Sequence, residues 1–408
     1  MRIDIFKPCT LGGIRMNNRI VRSATHEGQA DAQGRPLPAL TQRYVQLARG
    51  GVGLIITGYA SVQREGRCSY PGMLMIENDA AIEPLRLMVD AVHAAGAPIV
   101  LQVGHCGRQT RRKITGMQPV APSAIRDKHF NEETARELTE GEIQGVIDAF
   151  VDGIARARDA GFDGAQLHAA HGYLLSEFLS AYSNRRADAW GGSLENRFRI
   201  VAEIFRRARQ RVGSDYPLLI KINASDGRPR GMRVEEAVQI SRLLEAEGCA
   251  AIEVSCGTSE DGFMNIRNER DTRPAIFAFN FKIENAPRFI HPILRLALRR
   301  KAAPRPDARL YNVPAAAAVK AAISIPVMAV GGIRKLEEMQ TILDQGQADF
   351  ISLCRPLILE PNLAAKLRDG KQTEARCINC SFCAVALDSK PLRCYYGKIN
   401  SITEGGKS

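Results

Sequence analysis

The chain has 408 residues, a net charge of +12 and ordinary apolar and charged fractions of 45% and 25%. That length allows two domains or one large barrel with decorations, and either buries a sizeable core. No basic stretch is interleaved with aromatics, no apolar run approaches the length of a membrane span, and no charged start leads into an apolar leader, so neither nucleic acid nor a membrane is expected as a partner.

In chain order, short β-branched runs alternate with longer amphipathic stretches. The short runs are 19–21, 52–57, 98–102, 162–167, 217–222, 251–254, 326–330 and 349–353. They are nearly continuous in apolar residues, as strands covered on both faces must be. Helical periodicity predicts helices over 40–48, 81–94, 140–157, 194–211, 234–247, 314–322, 336–345 and 362–368. Gly96, Gly161 and Gly248 stand where helices stop, and Ser193 where one starts. Eight strand–helix repeats predict an α/β fold, a closed (β/α)8 TIM barrel, with an open doubly wound sheet as the alternative. The expected division is a barrel over 1–370 and a short cysteine-rich extension over 371–408.

Two segments break the repeat. Residues 105–138 follow the third strand, and residues 257–312 follow the sixth and include a basic helical piece around 292–301. Both follow strand ends, where barrel enzymes build their pockets, so a lid or substrate wall is expected there rather than inert decoration. The clusters Arg206, Arg207, Arg209, Arg211 and Arg295, Arg299, Arg300, Lys301 read as solvated helix surface, with attraction of an anionic ligand as the alternative.

Ten cysteines without a leader point to a reducing compartment, hence a cytoplasmic location, rather than a disulfide framework. Cys9, Cys68, Cys106, Cys249, Cys256 and Cys354 read as small core residues. The other four, Cys377, Cys380, Cys383 and Cys394, are grouped as C-x2-C-x2-C-x10-C. That spacing fits a [4Fe–4S] cluster better than structural zinc, with free thiols as a third reading.

The most informative stretch follows the fourth strand. His168-Ala-Ala-His171-Gly-Tyr173 places two imidazoles and a phenol just beyond a buried run, and continues through Asn184-Arg185-Arg186 to Leu194-Glu195-Asn196-Arg197. Two neutral donors beside a proton-bearing phenol suit a substrate oxygen that gains negative charge during reaction. The segment resembles the active-site strand and loop of the old yellow enzyme group of flavin-dependent oxidoreductases, and the resemblance extends over residues 5–365. It implies that His168 and His171 bind a substrate oxygen and that Tyr173 supplies a proton.

The same resemblance implies bound FMN. Val330-Gly331-Gly332-Ile333 and Leu353-Cys354-Arg355-Pro356 end the seventh and eighth strands, the usual phosphate site of a barrel. Gln102 and Lys221 match flavin-contacting positions. The glutamine would pair with the pyrimidine edge of the ring, and the cation would stabilise the anionic reduced form. Ala24, Thr25 and His26 resemble the loop beneath the flavin, with His26 where relatives often carry Cys or Thr. Ala60, in Gly58-Tyr59-Ala60, matches a flavin-edge segment.

The cysteine tail resembles the cluster-binding region after the barrel in 2,4-dienoyl-CoA reductase and trimethylamine dehydrogenase. The expected function is reduction of an activated C=C bond of an α,β-unsaturated carbonyl compound, including an enoyl or dienoyl thioester, by an ene-reductase using NAD(P)H. The alternatives are an oxidative dehydrogenase of the amine-dehydrogenase kind and an electron-transfer flavin/iron–sulfur subunit. No Gly-x-Gly-x-x-Gly unit follows a predicted strand, so nicotinamide would dock over the flavin, or an electron-donor or acceptor protein would take its place. Homo-oligomerisation is compatible with this reading.

Overall fold

The computed structural model describes residues 3–127, 133–261, 265–280, 283, 286–300 and 302–399. Eight parallel strands close on themselves: β1 Ile20–Arg22, β2 Leu54–Ile56, β3 Ile99–Gly104, β4 Gly164–Ala169, β5 Leu218–Asn223, β6 Ala251–Ser255, β7 Val327–Val330 and β8 Phe350–Leu353. Each pairs with the next, and β8 pairs with β1, so the expected TIM barrel is complete and the open-sheet alternative falls.

The helices follow in the order the sequence predicts: α1 Pro38–Arg49, α2 Ile82–Ala94, α3 Glu140–Asp159, α4 Leu194–Val212, α5 Val234–Ala246, α6 Val313–Lys320, α7 Leu336–Asp344 and α8 Leu363–Arg368. Thr139 and Glu142 form a reciprocal capping box at the start of α3, and the Ser193 hydroxyl accepts from the Asn196 N–H at the start of α4. Among the described residues, no helix is long and apolar enough to cross a membrane.

Alternation along the strands gives the barrel two characters. At its N-terminal end the interior is apolar, built from Val21, Leu54, Val100, Leu219, Ala251, Met328 and Phe350. It is closed below by a hairpin, Cys9–Leu11 against Ile14–Met16. One step further along the same strand faces stand Gln102, Gln166, Lys221 and Glu253, all buried. The barrel is therefore greasy at the bottom and polar at the top, where the loops gather.

Both irregular segments lie at that upper end. Residues 105–138 contain a short helix, Arg112–Thr115, and a two-residue pairing of Val120–Ala121 with Arg136–Glu137. Residues 257–312 contain helices Arg273–Phe279 and His291–Ala297, the latter shorter than the expected basic piece; Lys301 lies outside the described residues. On α4, Arg206 pairs with Glu247 and Arg207 with Asp148, so this basic cluster is a surface tied to neighbouring helices.

The tail does not stand apart from the barrel. Cys380, Phe382, Ala386 and Tyr395 pack against Ala275 and Phe279 of the second irregular segment. The Leu392 N–H donates to Glu27 O at 3.0 Å, and the Arg376 N–H to Glu360 Oε2 at 2.7 Å. The described part of 371–408 thus forms a wall of the upper end.

Candidate active site

A cleft with about 1230 Å³ of empty space, part of it open to solvent, opens at the C-terminal ends of the strands. Its lining brings together Ala24, Thr25, His26, Gln102, His168, His171, Tyr173, Lys221, Gly331, Gly332, Cys354 and Arg355, drawn from six of the eight strand ends. Ala60 is the exception. It pairs with Leu74 and Val103 behind the cleft, and Tyr59, which points the other way along the extended backbone, supplies the lining instead.

His168 and His171 meet edge to face, with ring centroids 5.1 Å apart, and His168 meets Tyr173 at 4.9 Å. The Ala170 N–H donates to His168 Nδ1 at 3.3 Å, which leaves the proton of a neutral imidazole on Nε2 as a donor. His171 sits at φ 64°, a conformation rare outside glycine. Its N–H donates to Asn223 Oδ1 at 3.1 Å, and its Nε2 lies 2.7 Å from Ser255 Oγ.

Burial pushes the His168 pKa well below the ordinary range, helped by the charge of His171 and Lys221. Burial and Lys221 push His171 down to about 3. Both rings are therefore neutral donors at neutral pH. Burial, with the nearby Cys106 sulfur, lifts the Tyr173 hydroxyl well above its usual range, so the phenol keeps its proton. Its oxygen lies 3.1 Å from that of Tyr59.

The floor is a hydrogen-bonded set. Gln102 Nε2 donates to Gln166 Oε1 at 2.7 Å, Gln166 Nε2 donates to Glu253 Oε2 at 3.1 Å, and Lys221 Nζ lies 3.1 Å from the same oxygen. Lys221 is thus paired, as a buried ammonium requires.

At the opposite end, β7 and β8 deliver the expected glycine turn. Gly331 (φ 128°) and Gly332 (φ 72°) have no room for side chains: a Cβ on Gly331 would meet the Tyr311 ring at 2.7 Å, and one on Gly332 the Ala308 carbonyl at 2.3 Å. Cys354 Sγ lies 3.0 Å from Thr25 Oγ1, and the neighbouring Ser352 hydroxyl is buried, faces the cleft and has no hydrogen-bond partner. Arg355 lines the cleft while its guanidinium donates to Arg267 O at 2.8 Å and Ser381 Oγ at 3.0 Å, a tie to the tail. His26 Nε2 lies 3.0 Å from Pro71 O, and its ring packs 5.8 Å from that of Tyr59.

An orphaned buried hydroxyl, a side-chain-free turn, a paired cation and a glutamine around one cleft fit FMN. Its phosphate would be held by Gly331, Gly332 and Arg355, and its ring by Gln102, Lys221 and the 24–26 segment.

The four tail cysteines are gathered but not closed into a ligand set. Burial pushes the Cys377 and Cys380 thiols up, and each is raised further by the Cys394 sulfur; burial likewise lifts Cys383, which faces the cleft. Among the described residues, no three His, Cys, Asp or Glu side chains are arranged to hold a metal ion.

Several lining residues carry no local signal in the sequence. Asn265, Ile266 and Tyr311 come from the second irregular segment, and Asn379, Ala384, Leu387 and Leu392 from the tail. For the second irregular segment, its position after a strand end could have pointed to them; the tail follows a helix and offers no such signal.

The comparisons agree with this geometry. Residues 4–282 match the NADH:flavin oxidoreductase / NADH oxidase family. An NADH oxidase of Thermoanaerobacter brockii is 34% identical over 380 residues, covering 93% of this chain and 53% of that protein. The chain spans about half the length of the first curated relatives it matches. Among solved structures, a 2-naphthoyl-CoA reductase in complex with 2-naphthoyl-CoA is similar with a TM-score of 0.79 at 25% identity, covering 94% of this chain and 55% of that one. The old yellow enzyme homologue from Zymomonas mobilis gives 0.72 at 25% identity, covering 96% of this chain and 100% of that one. The barrel, the glycine turn after β7 and the His-His-Tyr set after β4 thus stand together with a match over most of the chain, which belongs to the NADH:flavin oxidoreductase / NADH oxidase family of oxidoreductases.

Proposed function

We propose that this protein uses FMN and NAD(P)H to reduce the activated C=C bond of an α,β-unsaturated carbonyl compound. The observation that carries the reading is the edge-to-face trio His168, His171 and Tyr173 around one end of the cleft, with both imidazoles neutral and the phenol protonated. Bound FMN would supply hydride from its N5. His168, through Nε2–H, and His171 hold the carbonyl oxygen and stabilise the charge that grows there. Tyr173 holds the proton that the second carbon needs. Tyr59 orients the Tyr173 hydroxyl, and the buried cluster with Cys68, Met73 and Cys106 keeps bulk water away from it. The similar structure named for 2-naphthoyl-CoA supports including conjugated thioesters among the substrates.

The cysteine spacing C-x2-C-x2-C-x10-C supports a [4Fe–4S] cluster held by Cys377, Cys380, Cys383 and Cys394, and with it an electron-transfer partner protein. The test of the main reading is anaerobic turnover of 2-cyclohexenone with NADH and NADPH. One equivalent of nicotinamide oxidised per equivalent of saturated ketone supports it; nicotinamide oxidation with no ketone formed rejects it.

A further inference from the structure

One buried carboxylate ties three walls of the cleft together. Glu253 is 0% exposed, on β6, in the polar layer of the barrel interior. Strand register puts it there: Glu253 pairs with Lys221 across β5 and β6, and Gln102 with Gln166 across β3 and β4. Glu253 Oε2 accepts from Lys221 Nζ at 3.1 Å and from Gln166 Nε2 at 3.1 Å. Its Oε1 accepts from Ser23 Oγ at 2.6 Å, and Ser23 Oγ in turn accepts from Lys221 Nζ at 3.0 Å. Gln166 passes the link to Gln102 at 2.7 Å.

Of these five residues, Ser23, Gln102 and Lys221 line the cleft; Glu253 and Gln166 stand behind them. The layer below does the same packing job with Leu219, Ala251 and Met328, so a barrel interior here has no need of charge. The ionic layer lies only where the interior meets the cleft. It also orients the Gln102 amide: one of its two N–H donors goes to Gln166, which leaves the carbonyl oxygen and the other N–H for a ligand.

We infer that Glu253 is a positioning residue for the flavin site: acting through Lys221 and Gln166, without touching the cofactor, it fixes the ammonium and the amide and tempers the positive charge that favours reduced flavin. The inference rests on the FMN reading above. With Glu253 in place, Lys221 and its partner are together neutral. Removing the carboxylate leaves the Lys221 ammonium without its counter-charge, so that the anionic reduced ring becomes its counter-ion and is favoured.

The experiment is the midpoint potential of FMN bound to the full chain, measured against a reference dye at one fixed pH for wild type and variants. Glu253→Gln is expected to tilt the equilibrium toward reduced FMN at least tenfold, about 30 mV upward for a two-electron couple. Glu253→Asp, whose carboxylate is withdrawn by one methylene, is expected to tilt it in the same direction by about threefold, and it decides the matter if the Gln variant is insoluble. A purely structural Glu253 would weaken FMN binding in both variants and leave the potential where it was. An unchanged or lowered potential in FMN-loaded variants overturns the inference. Wild-type protein that binds no FMN overturns the flavin reading instead.

Discussion

The hydroxyl of Tyr59 lies 3.1 Å from that of Tyr173, and both rings sit in a small buried cluster with Cys68, Met73 and Cys106. The proton donor expected after β4 is therefore held by a residue that reaches the cleft from the loop after β2. Tyr173→Phe is expected to keep FMN and lower the rate of the oxidative half-reaction by about 10²–10⁴-fold, the usual worth of a positioned general acid. Tyr59→Phe leaves the donor but loosens it, so a loss of roughly tenfold is expected, with ligand affinity preserved. Stopped-flow reoxidation by 2-cyclohexenone reads both, and an unaltered rate in Tyr173→Phe removes the phenol from the chemistry.

The imidazoles give a binding prediction. His168 is neutral because burial holds its pKa well below the ordinary range, and its Nε2–H is aimed by the Ala170 N–H on the opposite nitrogen. His168→Ala is expected to weaken a phenolic ligand by about 1–3 kcal/mol, the cost of losing a donor in a dry site. Titration followed by the flavin spectrum measures it; equal affinity would contradict the oxygen-binding role.

Burial also makes the fold sensitive to acid. His105 is buried, and burial alone lowers its pKa to about 3. Unfolded, it takes up a proton near the ordinary value of about 6.5, so the unfolded state binds more protons between the two values. Stability is therefore fully present above about pH 6.5, falls as the pH drops through that window, and levels off below about 3, at up to about 1.4 kcal/mol per pH unit. Urea midpoints at pH 7 and pH 5 should differ less in His105→Gln than in the wild type; equal losses would place the acid sensitivity elsewhere.

The glycine turn gives the sharpest steric prediction. Gly332→Ala must seat a Cβ 2.3 Å from the Ala308 carbonyl at φ +72°. Displacing that turn is expected to cost at least about 1.4 kcal/mol of FMN affinity, a tenfold weakening. Fluorescence titration of apoprotein with FMN reads this directly, and wild-type affinity would mean that the phosphate lies elsewhere.

For the tail, Cys380→Ser is expected to lose iron and acid-labile sulfide while keeping the barrel's circular dichroism. Iron content unchanged from wild type would discard Cys380 as a ligand, and wild-type protein without iron would discard the cluster.

The barrel was legible because each strand and helix announces itself locally, in runs of Val, Ile and Leu and in the period of the helices. The His168-x-x-His171-x-Tyr173 set was legible because one loop carries all three side chains. What escaped was set by register and by long-range packing. Nothing near Gln166 or Glu253 signals that they meet Gln102 and Lys221; that follows from how β3 to β6 slide past one another. Tyr59 and Ala60 are neighbours in sequence, and only the pleat of the strand decides which of them faces the cleft. Arg355 carries the charge expected of a phosphate ligand, but its hydrogen bonds to Arg267 and Ser381 depend on segments 88 and 26 residues away. The tail's part in the cleft wall was hidden for the same reason: its cysteines spoke of metal, and nothing local marks Leu387 and Leu392 as lining.

The measurement that tests the flavin site most directly is titration of deflavinated protein with FMN, followed by quenching of the FMN fluorescence. The geometry predicts saturable quenching at one FMN per chain, weakened by Gly332→Ala and retained in Tyr173→Phe. Fluorescence that stays at the free-FMN level throughout the titration would contradict it.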